Sequence, residues 1–346
     1  MTRFSRLLVT GGAGFIGSNF IRFVFSEYPE AQIVNVDKLT YAGNLENLKD
    51  IENDPRYSFV KADIANAQHV EHILQDTNPA AIVNFAAESH VDRSILGAAA
   101  FIETNVRGTM VLLEAARKQW EDKASEHRFV QVSTDEVYGD LGETDRFREA
   151  TPLSPNNPYS ASKASADLLC RAYSRTHKLP VIVTRCSNNY GPYQFPEKLV
   201  PLMIQNALKD KSLPVYGDGT NVRDWIHVLD HCRAIDAVLR RGRNGEVYNI
   251  GADTEIRNID LVGKILAQLG KPNSLIRFVR DRPGHDRRYA IDASKLRTEL
   301  DWKPGISLDD GLEETVEWYM AHPGWVQRCT TGEYLSYYER NYEGRV

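Results

Sequence analysis

The order of apolar runs along the chain predicts a Rossmann-like, doubly wound α/β fold: a parallel sheet with helices on both faces, plus a smaller C-terminal domain. Two observations predict it. Short, continuously apolar runs alternate with helical patterns through the first half of the chain, as expected for strands buried on both faces. The first of these runs also opens directly into "GGAGFIGSNF", a glycine-rich turn leading into a helical pattern.

In chain order, strands are expected at Arg6–Thr10, Gln32–Val36, Tyr57–Lys61, Ala81–Phe85, Arg128–Ser133 and Val181–Arg185. Between them lie helical patterns over 14–27, 66–76, 98–120 and 158–176. Asn157 is an N-cap and Pro158 suits the first turn of the last of these helices. After about residue 190 the rhythm changes. "NNYGPYQFPEKLVP" reads as a loop rich in Pro and aromatics, followed by a helix near 198–209. A strand at Glu246–Ile250 returns the chain to the α/β pattern, and "DRPGHDRRYAID" with "WKPGISLDDGLEETVEWY" reads as a smaller domain over the sheet. The expected division is a dinucleotide-binding domain over 1–190, with a return near 225–255, and a smaller domain over most of 191–346.

The chain has 346 residues, 42% hydrophobic and 26% charged, with a formal net charge of −5. That composition is globular, and the acidic balance gives no electrostatic reason to expect nucleic acid or an anionic membrane. Cys170, Cys186, Cys232 and Cys329 are scattered, without metal-ligand spacing, which reads as reduced thiols in a cytoplasmic protein and no metal site. The glycine turn begins within a dozen residues of the start, leaving no room for a signal peptide. No apolar run approaches the roughly 20 residues of a membrane span.

Gly12, Gly14 and Gly17 stand in GxGxxG spacing, with Gly11 also in the turn. After a strand and before a helix, this spacing is a dinucleotide fingerprint. The glycines let the backbone approach a pyrophosphate, which then sits on the free N–H groups of the helix N-terminus. Asp37 ends "IVNVD", twenty residues after Gly17. A carboxylate there binds the ribose hydroxyls and repels a 2′-phosphate, which favours NAD over NADP; the neighbouring Lys38 pulls the other way. Asp63, closing the third strand, is placed to reach the adenine edge.

Tyr159 and Lys163 are four residues apart, on one face of the 158–176 helix. An isolated tyrosine, with a pKa of about 10, is a poor base at neutral pH. A neighbouring ammonium and a cationic nicotinamide ring would favour its phenolate. In "VSTDEVYGD" the adjacent acids Asp135 and Glu136 follow directly on the fifth strand. They can face one cleft only if the chain turns there, because a continuing strand would send them to opposite faces.

On "VTGGAGFIGSNF", "VDKLTYAGNLENL", "NFAAESHVDRSI", "STDEVYGDL", "PYSASKASAD", "RCSNNYGPYQFPEKL", "VYGDG", "RDWIHVLDH" and "RPGHDRRYAID", essentially the whole chain resembles the extended short-chain dehydrogenase/reductases that modify nucleotide sugars. The first and fifth motifs are superfamily-wide, whereas "FAAESHVDRS", "STDEVYG" and "RPGHDRRYAID" are more specific. The resemblance implies an NAD-dependent 4,6-dehydration with dTDP-glucose as the nucleotide-sugar substrate. Asp135 would be the acid for the leaving C6 hydroxyl, Glu136 the base for H5, and Thr134 a partner of the C4 oxygen beside Tyr159. Epimerases on this fold typically carry small residues or serine at the carboxylate positions. The acid pair therefore argues against an epimerase or decarboxylase.

By the same resemblance Gly11, Gly14, Phe15, Ile16, Gly17, Asp37, Lys38, Leu39, Thr40, Asp63, Ile64, Ala86, Ala87, Ser89, Thr104, Tyr159, Lys163 and Asn189 surround the cofactor. Ser89, Thr134, Asn188, Lys198, Leu199, Pro214, Tyr216, Arg223, Asn258, Arg282, His285 and Tyr289 face the sugar nucleotide. Among these, Lys198, Arg223 and Arg282 are sensible diphosphate partners in an otherwise acidic chain. Relatives are homodimers joined by two helices per subunit, here those near 98–120 and 158–176.

Overall fold

The structure, a computed structural model, describes residues 4–330; the last residues of the expected second domain, 331–346, lie outside it. The chain runs β1 (Arg6–Thr10), α1 (Phe15–Glu27), β2 (Gln32–Asp37), β3 (Tyr57–Lys61), α2 (Ala67–Thr77), β4 (Ala81–Asn84), α3 (Val91–Leu96) and α4 (Ala99–Phe101). A π-helical stretch (Ile102–Gly108) then leads into α5 (Thr109–Trp120), β5 (Arg128–Thr134), α6 (Pro158–His177) and β6 (Val181–Cys186). The remainder forms β7 (Asn188–Tyr190), α7 (Leu199–Leu208), β8 (Leu213–Tyr216), β9 (Val222–His227), α8 (Val228–Arg241), β10 (Val247–Ile250) and β11 (Glu255–Arg257). Last come α9 (Asn258–Gln268), β12 (Ile276–Val279), α10 (Ser294–Leu300), α11 (Leu308–Ala321) and α12 (Pro323–Cys329).

Seven parallel strands in the order β10-β6-β5-β4-β1-β2-β3 form the main sheet. Strand alternation assigns the two faces. Leu7 and Val9 pack with Phe20, Ile21 and Val24 of α1 and Ile235 and Val238 of α8. Leu8 and Phe129 face the other way, onto α2, α5 and α6. Both faces are covered, which is why these strands read as continuous apolar runs. The strand order reverses at β1, between β2 and β4, and ligands in such sheets bind outside the carboxyl ends at that point.

A second core gathers α7, α9, α11 and α12 around Tyr190 and Trp225. Its strands are short: β7 and β11 flank β9, and β8 pairs with β12. The segment expected to be a loop thus contains β7, whose partner β9 lies more than thirty residues away in sequence. No local pattern in "NNY" signals such a pairing.

The helix expected over 98–120 departs from plain α geometry. Its π-helical stretch brings Thr104 to the ligand cavity and turns Asn105 inward. There Asn105 grips both main-chain groups of Glu88, at 2.9 and 3.0 Å, and donates to Ser162 Oγ of α6 at 2.8 Å. A π-bulge is the local adjustment that makes room for such a contact. Among the described residues no helix is long and apolar enough to cross a membrane.

Candidate active site

Two adjoining cavities lie outside the carboxyl ends of the strands, sharing Ser89, Glu136, Asn188, Asn189, Gln194, Glu197 and Lys198. The first begins at the β1–α1 turn. Gly11 has φ +69°, and a Cβ there would come within 2.5 Å of the Ala86 amide nitrogen. At Gly17 a Cβ would collide with the Gly11 carbonyl. Only glycine fits either place. The wall carries Gly11, Gly14 and Gly17, so the working spacing is G-x-x-G-x-x-G. Gly12, expected to lead the motif, is off the wall, and a Cβ on it would strike the Asn35 side chain.

Asp37 closes β2. Its Oδ2 accepts from the Ala13 N–H at 3.0 Å and its Oδ1 from the Leu39 N–H at 2.8 Å. Lys38 pairs with Asp63 across 2.7 Å. The ammonium that argued for a 2′-phosphate is therefore already matched to a carboxylate. Phe15, Ile16, Asp37, Lys38, Thr40, Asp63, Ile64, Ala86, Ala87, Ser89, Thr104 and Asn189 all line the cavity. Leu39 does not; it sits at φ +58° and contributes its N–H to Asp37. A glycine cradle at a helix N-terminus, ended by a strand-terminal carboxylate, fits a dinucleotide without a 2′-phosphate.

Across the cavity stands α6, started by Asn157 in a reciprocal capping box with Ser160. Tyr159 and Lys163 line the wall, and both are buried. Lys163 Nζ donates to the Val132 carbonyl of β5 at 2.7 Å. Burial holds the Tyr159 phenol well above its ordinary value of 10.0; the Glu136 charge adds to this, and a hydrogen bond with Thr134 opposes it. Lys163 was expected to be the neighbour that favours phenolate. Its ammonium is instead held on the Val132 carbonyl of β5. Burial also lowers the Lys163 pKa, against the pull of Asp167.

At the end of β5 the chain turns into a short 3-10 helix, Asp135–Tyr138. Thr134 caps it: Oγ1 accepts from the Glu136 N–H at 3.3 Å and donates to Asp135 Oδ1 at 3.3 Å. This turn, which a continuing strand could not make, puts Thr134, Asp135 and Glu136 on one cavity wall. Asp135 Oδ2 and Glu136 Oε2 are buried with no hydrogen-bond partner among the described residues.

Both carboxyls are pushed up, and burial is the main cause for each. Asp135 rises well above 3.8, driven further by Glu136 and Asp224. For Glu136 the cations Arg282, Lys198 and Arg223 oppose the rise. Both acids are thus shifted toward the protonated form, Asp135 the more strongly, because the cations offset part of the rise at Glu136.

The second cavity takes Glu136 and Asn188 at its shared end and Leu199, Pro214, Tyr216, Arg223, Asn258, Arg282 and His285 beyond. Lys198 Nζ donates to the Ser89 carbonyl at 2.8 Å, and Arg223 Nη2 to the Asp286 carbonyl at 2.8 Å. These donors meet neutral oxygens, with Glu136 among the charges acting on both. Tyr289 is not on the wall. It lies behind Arg223, whose guanidinium stands 4.2 Å from its ring centre, and its hydroxyl bonds Asp286. His285 is held down to about 4, by burial and then by Arg282, and is neutral at pH 7.

Sequence reasoning missed Asp92 and Glu197, both buried and both on this wall. Asp92 lies within "ESHVDRS", from which only Ser89 was drawn, and Glu197 stands directly before Lys198. An acid inside or beside a motif that supplies a binding residue was the available signal. No group of three potential metal ligands occurs among the described residues.

A parallel seven-stranded sheet with this glycine cradle and a buried Tyr-x-x-x-Lys helix defines an extended short-chain dehydrogenase/reductase. The family model described as GDP-mannose 4,6 dehydratase matches residues 8–315. The dTDP-glucose 4,6-dehydratase of Shigella flexneri is 52% identical, covering 98% of this chain and 99% of that protein. The crystal structure of the same enzyme from Bacillus anthracis, in complex with NAD, superposes with a TM-score of 0.87 at 53% identity, over 94% of this chain and 99% of that one. The Streptomyces venezuelae enzyme, solved with NAD and TYD bound, gives 0.89 at 51% identity over the same shares. The chain belongs to the dTDP-glucose 4,6-dehydratase family.

Proposed function

We propose that this protein dehydrates dTDP-glucose to dTDP-4-keto-6-deoxyglucose, using NAD that is regenerated in each cycle. The observation that carries the reading is the turn after β5, which sets two carboxylates, each with one buried oxygen lacking a partner among the described residues, beside Tyr159 in one cavity. Bound in the glycine cradle, NAD accepts the hydride leaving C4 and later donates the one that reaches C6. Tyr159 takes the C4 hydroxyl proton while Thr134 holds that oxygen. A C4 ketone acidifies H5, which Glu136 removes; Asp135 delivers its proton to the departing C6 hydroxyl, and Glu136 returns a proton to C5 as hydride reaches C6. Lys198, Arg223 and Arg282 bind the diphosphate.

The test is turnover of dTDP-glucose carrying deuterium at C4. Product that absorbs after alkali, with the label on C6, is expected. Label lost to solvent, or returned only to C4, refutes the reaction.

The cofactor assignment has its own check. Denatured protein should release NAD(H), because a cofactor recycled at each turnover gains from staying bound, and Lys38 is held on Asp63. Release of NADP, or tighter binding of added NADP, would overturn it.

We also propose a division of labour, in which residues 1–190 with the return near 225–255 hold the cofactor and the rest hold the nucleotide. The protein is proposed to be a cytoplasmic homodimer. Its four cysteines are buried free thiols, in keeping with a reducing compartment. Leu96 (66% exposed), Ile102 (52%) and Leu168 (53%) lie on or beside the helices expected to pair, and apolar patches of this kind commonly mark interfaces. Light scattering should give twice the chain mass, and Leu168→Arg should yield a monomer. A monomeric native protein would end the dimer reading.

A further inference from the structure

The segment after β2 forms one wall of the first cavity and is tied to parts of the fold far from it in sequence. Lys38, Thr40, Ala42 and Gly43 line the cavity, whereas Tyr41 between them does not. Its ring packs on the other side of the wall. The Arg93 guanidinium of α3 stands 3.8 Å from the ring centre, and the Phe195 ring meets it edge-on at 5.7 Å. Arg93 Nε in turn donates to Glu197 Oε2 at 3.0 Å, a buried carboxylate shared by both cavities. Burial first, and then the Glu197 and Glu88 charges, hold the Tyr41 phenol well above 10.0, so the ring stays neutral beneath the cation. Farther along, the Asn44 N–H and the Asn47 amide both donate to the Ala13 carbonyl, at 3.0 and 2.9 Å. Asn47 also accepts from Trp325 Nε1 of α12 at 2.8 Å, and Glu46 pairs with Arg328. The wall is thus pinned to the second core on both sides of its cavity-lining residues.

We infer that the Tyr41 ring, gripped between Arg93 and Phe195, is a peg that holds this wall against the bound dinucleotide and sets how slowly the cofactor leaves. The inference rests on the cofactor reading in the function proposed above. A dinucleotide whose ribose lies against Asp37 is flanked by residues 38–43, and its departure requires that wall to move back. Moving it pulls the Tyr41 ring off a guanidinium, and a cation over an aromatic face is held more strongly where water is excluded. The proposed reaction gives the peg its purpose. Hydride taken from C4 must be kept until C6 can receive it, and if the cofactor leaves in mid-cycle an oxidised sugar is stranded. Arg93 also links the two cavities, because the Glu197 it holds stands directly before Lys198. Tyr41 and Arg93 are positioning residues, and neither lines either cavity.

The test loads wild type, Tyr41→Ala, Tyr41→Phe and Arg93→Lys with radiolabelled NAD and follows its loss into excess unlabelled NAD, with no sugar nucleotide present. Tyr41→Ala removes the ring and leaves the Arg93–Glu197 pair in place. Its NAD should dissociate on the order of tenfold faster, the factor that about 1.4 kcal/mol of lost contact gives. Tyr41→Phe keeps the ring and should release NAD at close to the wild-type rate. Arg93→Lys keeps a charge for Glu197 but loses the flat guanidinium that stacks on the ring. It too should release NAD faster, and it decides the matter if Tyr41→Ala does not fold. With NAD saturating, both Tyr41 variants should turn over dTDP-glucose at the wild-type kcat, while Tyr41→Ala diluted without NAD should lose activity that added NAD restores. A ring that merely stabilises the fold would lower the unfolding midpoint without changing NAD release. Unchanged release from Tyr41→Ala or from Arg93→Lys, or equally fast release from the two Tyr41 variants, would overturn the inference. Release is read without substrate, so the expected rates in a protein that does not convert dTDP-glucose would sink the proposed reaction and leave the peg standing.

Discussion

Glu136→Gln should lose dehydration by about 10²–10⁴-fold, the usual worth of a positioned acid or base, while still oxidising the sugar at C4. The amide has nearly the same volume, so the cavity keeps its shape, but it cannot take H5. Substrate incubated with this variant in D₂O should therefore show no exchange at C5, and a slow rise of NADH-like absorbance should be the only product signal. Asp135→Asn should behave differently. H5 can still be removed, but the C6 hydroxyl must leave without a proton, so C5 exchange persists as dehydration slows. Identical behaviour of the two variants would refute separate roles.

The pH profile follows from the same environment. In the proposed reaction Glu136 works as a carboxylate, and its pKa is raised from 4.5, chiefly by burial; dehydration should fall away below a midpoint higher than an exposed glutamate would give. In that reaction Asp135 works protonated and is pushed up more strongly, so activity should decline on the alkaline side as that proton is lost. The pair interacts, and the measured midpoints will belong to both groups together.

Tyr159→Phe should abolish the first step, with no NADH-like absorbance on adding dTDP-glucose and a loss again of about 10²–10⁴-fold. The ring packs against Val91 and Phe101, and phenylalanine preserves that contact, so the thermal unfolding midpoint should move little. In the wild type the phenol must give up its proton to act, and burial holds that proton on. Oxidation at C4 should accordingly speed up as pH rises through neutrality. Full activity in Tyr159→Phe would take the tyrosine out of the mechanism.

The strands and helices of the main sheet were legible because their signals are local. β1, β2 and β3 begin where expected, as does β5, and the Asn157-Pro158 start of α6 is chemistry between adjacent residues. Elements whose partners lie far away in sequence were not legible. β7 is three residues long and exists because β9 lies beside it. The π-helical stretch before α5 exists because Asn105 must reach Glu88 and Ser162; the apolar period of that segment is the same for a plain helix.

A similar line runs through the site. The glycines, Asp37, the Tyr159–Lys163 spacing and the Asp135–Glu136 pair were determined by the sequence itself, because each depends on a turn, a strand end or one face of a single helix. Which glycine leads the turn, where the Lys163 ammonium goes, that Lys38 is held by Asp63, and that Asp92 pairs with Arg282 were decided by tertiary structure alone. Each of those depends on a distance between elements that meet only when the sheet, α3 and the second core close on one another. A charge acts through space, so its neighbours and its pKa belong to the fold.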